Sequence, residues 1–196
     1  MSTIPDAAAR AGDIVDLMIT RVSPARLVAP APSEAELERI LRAGARAPDH
    51  GRLRPWRFVI IDEAARPRFS EMLAASLRAR KPEASDAELQ RERDKALRAP
   101  LIIAVAARPV QAKVPEIEQV LAVAACTENM ILAAHALGYG ATWKTGDAAY
   151  DDAVKAGLGL EPGDAIVAFL YLGTTAAAPP SREPMLEGLV QRLAPN

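Results

Sequence analysis

A layered domain of the α/β or α+β class, with helices on both faces of a sheet, is what this sequence predicts. Three observations carry that reading. The run Pro100-Leu-Ile-Ile-Ala-Val-Ala-Ala107 is apolar without a break, as in a strand covered on both faces. Helix-spaced apolar residues alternate along the chain with shorter strand-like runs. Half of the 196 residues are hydrophobic and 24 basic side chains nearly cancel 25 acidic ones, a balance that lets one sizeable core form.

Each element has its own local reason. Asp13 to Ile19 carries Ile14, Leu17 and Met18 at helical spacing behind Asp13 as a cap, and the pattern stops near Ser23-Pro24. A second helix opens at Ser33, where Glu36 completes a capping box, and runs through Leu37, Ile40, Leu41 and Gly44 to end before Pro48. Trp56 to Asp62, rich in β-branched and aromatic residues, reads as a strand. Glu63 to Arg80 is helical in pattern, Pro82 breaks it, and Asp86 to Arg98 is a charged, solvated helix. After the strand at 100–107, a loop from Arg108 to Pro115 leads into a long helix, Glu116 to Leu137, closed by Gly138 and Gly140. Ala141 to Thr145 is a third strand, Tyr150 to Leu158 a short helix and Ala165 to Gly173 a fourth strand. We expect one domain, residues 1–196, whose tail from 174 to 196 packs on the domain or on a partner subunit.

Composition narrows the function classes. A net charge of -1 provides no basic field for nucleic acid, and an aromatic content of 4% leaves few platforms for stacking bases. The lone Cys126 excludes a disulfide framework within the chain and a cysteine-rich metal site. Met1 to Asp16 interrupts Arg10 with Asp6, Asp13 and Asp16 and lacks the apolar stretch of a secretory signal, so a cytoplasmic protein without a membrane partner is expected. The apolar segment Val120 to Gly140 is broken by Thr127, Glu128, Asn129 and His135 and reads as a buried core helix.

Two arginine-bearing segments stand out. Arg21-Val-Ser-Pro-Ala-Arg26 sets two guanidinium groups and a hydroxyl where a helix yields to a loop, a donor set suited to phosphate or to ordinary surface solvation. Arg46-Ala-Pro-Asp-His-Gly-Arg-Leu-Arg-Pro-Trp56 puts three arginines, a Trp and one of the two histidines in a loop between helix and strand. The Asp49-His50 pair has no nucleophile elbow to serve, which leaves His50 as a hydrogen-bond donor to a ligand or as part of the loop's own structure. On the long helix, Cys126 sits in an apolar run and reads as a buried inert thiol, and His135 as a structural histidine. Neither histidine has a partner at metal-ligand spacing, so no metal is expected. The Gly138-Tyr-Gly140 and Gly157-Leu-Gly159 pairs follow helices instead of opening them and make no nucleotide fingerprint.

Taken in order, five segments resemble the nitroreductase family of FMN-dependent oxidoreductases, in its small single-domain branch. They are Arg21–Arg26, similar to the family's Arg-Arg-Ser-x-x-Arg; Arg42–His50 followed by Pro55-Trp56; Lys113-Val-Pro115; Gly140–Gly146; and Phe169–Gly173. The resemblance spans about Asp13 to Gly173. It implies a mostly antiparallel sheet of four to five strands flanked by helices, and a homodimer. It further implies that Arg21, Val22 and Ser23 contact the flavin phosphate and ribityl chain, with Arg46 and His50 contributing from the neighbouring loop and Trp143, Lys144 and Thr145 completing the FMN site. Ala133, Ala134, His135, Ala136, Leu137 and Gly138 would lie near NADH or NADPH. Val22 stands where the family has a second arginine, so one side-chain contact gives way to a backbone N–H.

The mechanism implied by the resemblance sends hydride from NAD(P)H to flavin N5 and then to a small-molecule acceptor such as a nitroaromatic or quinone, in ping-pong order. It asks no acid, base or nucleophile of the protein. Two alternatives stay open: a non-catalytic FMN or nucleotide sensor, which turnover of NAD(P)H would separate, and a flavin-dependent dehalogenase or flavin-fragmenting relative, which product analysis would separate.

Overall fold

The computed structural model describes residues 7–177, 179–181 and 183–194. Positions 1–6, 178, 182, 195 and 196, which the expectations for the N-terminus and the tail also cover, lie outside the described residues.

The apolar run becomes the central strand. Leu101–Ala107 (β3) is buried at every residue, between Trp56–Ile61 (β2) on one side and Ala165–Thr175 (β5) on the other. The far edge of β5 takes Gly140–Lys144 (β4) and, at Thr174 and Thr175, the two-residue strand Leu27–Val28 (β1). All four pairings are antiparallel, so the unbroken apolar pattern of β3 reflects helices on both faces and not a parallel sheet. Four of the strands match the sequence reading; β1 was not expected, because two residues carry no periodicity.

The two faces have separate cores. Ile103, Val105, Leu170 and Leu172 pack under Leu37 and Ile40 of Glu34–Gly44 (α2) and under Val123, Cys126 and Met130 of Glu116–Ala136 (α5). Ile102, Ala104, Phe169 and Tyr171 meet Phe69 and Leu73 of Arg66–Arg80 (α3), with the Phe69 and Phe169 ring centroids 5.3 Å apart. Val154 of Asp152–Gly157 (α6) joins the same cluster. The charged helix Asp86–Asp94 (α4) has its own Ser85–Glu88 capping box and rests on α3 through Leu89.

Boundaries moved where local chemistry was ambiguous. The first helix runs Ala7–Thr20 (α1), so Asp13 lies inside it and is not its cap. The Ser33–Glu36 capping box is present as read. The helix after Asp86 stops at Asp94 and continues as one 3-10 turn, Lys95–Leu97, and Tyr150 closes a separate 3-10 turn before α6.

α5 is long and apolar enough to span a membrane by length and composition alone. Its buried residues, Gln119, Ala122, Val123, Cys126, Thr127, Met130, Ile131 and Ala134, recur every three or four positions and face the sheet. Two polar members are satisfied: the Thr127 hydroxyl donates to the Val123 carbonyl at 2.9 Å, and the Gln119 amide bonds both polar groups of the Val110 backbone.

Candidate functional site

The arginine segment after α1 is fixed to β4. Thr142 Oγ1 donates to the Pro24 carbonyl at 2.6 Å, and Gly140 lets the chain pass close by, since a Cβ there would come within 2.4 Å of both Leu27 and Thr175. Just upstream, Arg21 Nη1 donates to Ser23 Oγ at 3.1 Å, and Arg21 Nε lies 3.7 Å from Glu128 Oε1 on α5. The end of the Arg21–Ser23 segment is thereby tied, at Pro24, to the strand that carries Trp143 and Lys144, with Thr145 one residue beyond, while Arg21 itself faces α5. Strand alternation then separates Trp143 from Lys144. Trp143 pairs with Leu170 and belongs to the α5 face, its Nε1 donating to the Val167 carbonyl, whereas Lys144 pairs with Phe169 on the α3 face.

The second segment divides. Arg46 sits beside Asn129, Ala133 and Ala136 of α5 and Ile14, Leu17 and Met18 of α1. His50 instead places Nδ1 at 2.8 Å from Glu118 Oε2 in the first turn of α5, which leaves Nε2 for any ligand. Glu118 and Asn129 are eleven helical steps apart, roughly 16 Å at 1.5 Å per residue. Arg46 and His50 therefore address different ends of the helix.

Past His50 the backbone turns left-handed at Gly51, Arg52 and Arg54, with φ of 78°, 55° and 51°. For the two arginines that conformation costs about 1 kcal/mol or more each. The Arg54 N–H donates to Asp49 Oδ2 at 2.6 Å, which holds the turn. Ala45, Arg46, Asp49, Arg52, Arg54 and Trp56 line a cavity of about 430 Å³.

The stretch from Ala133 to Gly138 is the capped C-terminus of α5. Leu137, Gly138 and Tyr139 donate their N–H groups to the carbonyls of Ala133, His135 and Ala134, and Gly138 takes a φ of 87°. Ala134 is fully buried against the sheet, so only its neighbours have surface to offer. The negative end of the helix dipole disfavours phosphate there and suits an uncharged group. Cys126 is fully buried and its thiol is pushed up to about 12 by desolvation, in keeping with an inert residue.

Sequence reasoning gave no role to Glu118, Glu128 or Asp49. Their partners lie far along the chain or depend on a left-handed turn whose only local signal is Gly51. Arg21 and Ser23 do bring together a guanidinium and a hydroxyl, a pair suited to a phosphate monoester, whereas the Lys144 ammonium belongs to the other face of β4.

Known proteins resemble this chain in sequence and in fold. YdjA of Escherichia coli strain K12, provisionally named an NAD(P)H nitroreductase, is 40% identical over 163 residues, 83% of this chain and 88% of that one. A Haemophilus influenzae protein with the same provisional name is 34% identical over 164 residues, with the same two coverages. A crystal structure of a nitroreductase candidate from Desulfovibrio desulfuricans in complex with FMN superposes with a TM-score of 0.72 at 27% identity, over 93% of this chain and 98% of that one. The nitroreductase-like protein of Bacillus cereus shares the fold at a TM-score of 0.80 and 22% identity, over 98% of both chains. The model of the nitroreductase family matches residues 21–174, from the first arginine of the loop to Thr174, the last residue but one of β5, and the chain belongs to that family.

Proposed function

We propose that this chain is a single-domain FMN-dependent NAD(P)H oxidoreductase acting as a cytoplasmic homodimer. The observation that carries the reading is the Thr142–Pro24 hydrogen bond, which ties the loop after the Arg21 and Ser23 donors to the strand of Trp143 and Lys144 in a chain of this family. Arg21 and Ser23, with the Val22 N–H, hold the flavin phosphate and ribityl chain; Glu128 orients Arg21 from the side. Arg46 and the free Nε2 of His50 reach the same cofactor from the second loop, across the subunit boundary. Bound there, FMN supplies hydride transfer, taken from NAD(P)H and passed to a planar acceptor such as a nitroaromatic or quinone. The α5 stretch Ala133, His135, Ala136, Leu137 and Gly138 meets the uncharged nicotinamide end of the donor, and half-exposed Trp143 borders the acceptor.

The dimer is supported by apolar side chains that one protomer leaves uncovered. Ile14, Val15, Met18 and Ile19 of α1, Ile117 and Leu121 of α5 and Met185, Leu186, Leu189 and Val190 of the tail are all exposed. The lone buried Cys126 suits a reducing compartment.

Nicotinamide and acceptor share one site in this reading, so NAD(P)⁺ leaves before the acceptor enters. Initial rates over a wide range of both substrates should give parallel double-reciprocal lines. Intersecting lines, with an acceptor inert toward free NAD(P)H, would show a ternary complex and refute the shared site.

A further inference from the structure

The cavity behind Arg46 is built for more than surface solvation. Arg46, Arg52 and Arg54 line it together with one acidic residue, Asp49, a formal balance of two positive charges. None of the three guanidinium groups has an ion-pair or side-chain hydrogen-bond partner among the described residues. Asp49 Oδ1 is buried and also lacks a partner, although Oδ2 is engaged by the Arg54 N–H. Half-buried Trp56 forms part of the wall. Two of the arginines stand in left-handed backbone, at φ of 55° and 51°, a conformation that non-glycine residues hold only where the surroundings impose it.

We propose that this pocket takes the adenosine 2′-phosphate half of NADPH, so that Arg52 and Arg54 select NADPH over NADH. The inference rests on the FMN and NAD(P)H reading above and adds the donor that the reading leaves open. Four features point to this occupant. A phosphate monoester carries between one and two negative charges near neutral pH, which the arginine excess matches. The cavity volume falls within the range of small-molecule sites, roughly 300 to 1,000 Å³, and a bare anion would leave most of it empty. Trp56 supplies an aromatic wall for a base, beside Asp49 as the one acidic residue of the lining. Arg46 lines both this cavity and the groove containing Ala133 and Ala136, so the pocket adjoins the helix end where the nicotinamide half is expected. That helix end has its carbonyls capped and a dipole unfavourable to phosphate, so the anionic half of the nucleotide needs cations elsewhere.

The test compares adenosine 2′,5′-bisphosphate with 5′-AMP by calorimetry on the FMN-loaded protein. The bisphosphate should bind at least about tenfold more tightly, the scale of one charged hydrogen bond. The double variant Arg52→Gly, Arg54→Gly removes both guanidinium groups while placing glycine where the backbone favours it. It should abolish the difference between the two nucleotides and lower the ratio of kcat/KM for NADPH to that for NADH by about tenfold or more. Equal binding of the two nucleotides by the wild-type protein would overturn the proposal without recourse to any variant, as would full discrimination by the double variant. Flavin absorbance of the same samples keeps the two readings apart: a protein that never retains FMN contradicts the reading beneath this one, and a flavin-loaded protein indifferent to the 2′-phosphate contradicts this one alone.

Discussion

At the scale of single residues, Arg21 illustrates what a sequence can and cannot disclose. Its chemistry was legible, because a guanidinium beside a hydroxyl at the end of a helix suits a phosphate whatever the fold. Its restraint by Glu128, more than a hundred residues away, was not. Arg21→Ala should weaken FMN by about 1 to 3 kcal/mol, measured by fluorescence titration, and weaken riboflavin much less, since riboflavin has no phosphate to lose. Equal losses would mean that Arg21 does not read the phosphate. Asp164 is the reverse case, a residue that nothing in the sequence marked. Its nearly inaccessible carboxylate accepts the Arg108 guanidinium fork at 2.7 and 2.8 Å, and that fork holds its pKa below the usual carboxylate range. A depressed pKa means the stabilisation is complete above the unfolded value, near 4, and is lost as pH falls through the lower folded value. Asp164→Asn should therefore cost about 2 kcal/mol in urea unfolding at neutral pH, and the gap from wild type should close as the medium is acidified below about pH 4. A gap that persists unchanged at strongly acidic pH would show that the ion pair is not its source.

At the scale of elements, the long regular segments were legible and their ends were not. β3 and α5 announce themselves by unbroken apolarity and by a three-to-four repeat, signals that survive any tertiary setting. β1 does not, since its two residues are strand only because Thr174 and Thr175 lie beside them. α1 begins six residues before the Asp13 that resembled a cap, because Asp is also tolerated within a helix. The α2–α5 crossing depends on a residue that sequence could flag only as small. A Cβ on Gly44 would lie 2.5 Å from Met130 Cγ and 3.0 Å from Cys126 Sγ. Gly44→Ala should therefore destabilise the fold by about 1 to 3 kcal/mol despite its better helix propensity, as read from thermal or urea unfolding. A stabilised variant would show that the two helices have room to move apart.

At the scale of the whole molecule, the two arginine segments and the exposed apolar face bear on the proposed assembly. Arg46 and His50 address different ends of α5 in a single protomer, and α1, the outer stripe of α5 and the tail leave large apolar side chains in water. In the proposed two-fold dimer, those side chains would be covered and the second loop of one protomer would lie against the β4 edge of its partner, an arrangement no single-chain sequence pattern can encode. Light scattering at micromolar concentration should give the mass of two chains, and a monomer that still holds FMN would defeat this assembly. The central claim, that the chain carries FMN and accepts hydride from a nicotinamide, is tested most directly by one visible spectrum. Protein reconstituted with excess FMN and desalted should stay yellow, with flavin bands that bleach anaerobically on adding NADPH or NADH. A colourless protein, or flavin bands untouched by either nucleotide, would contradict it.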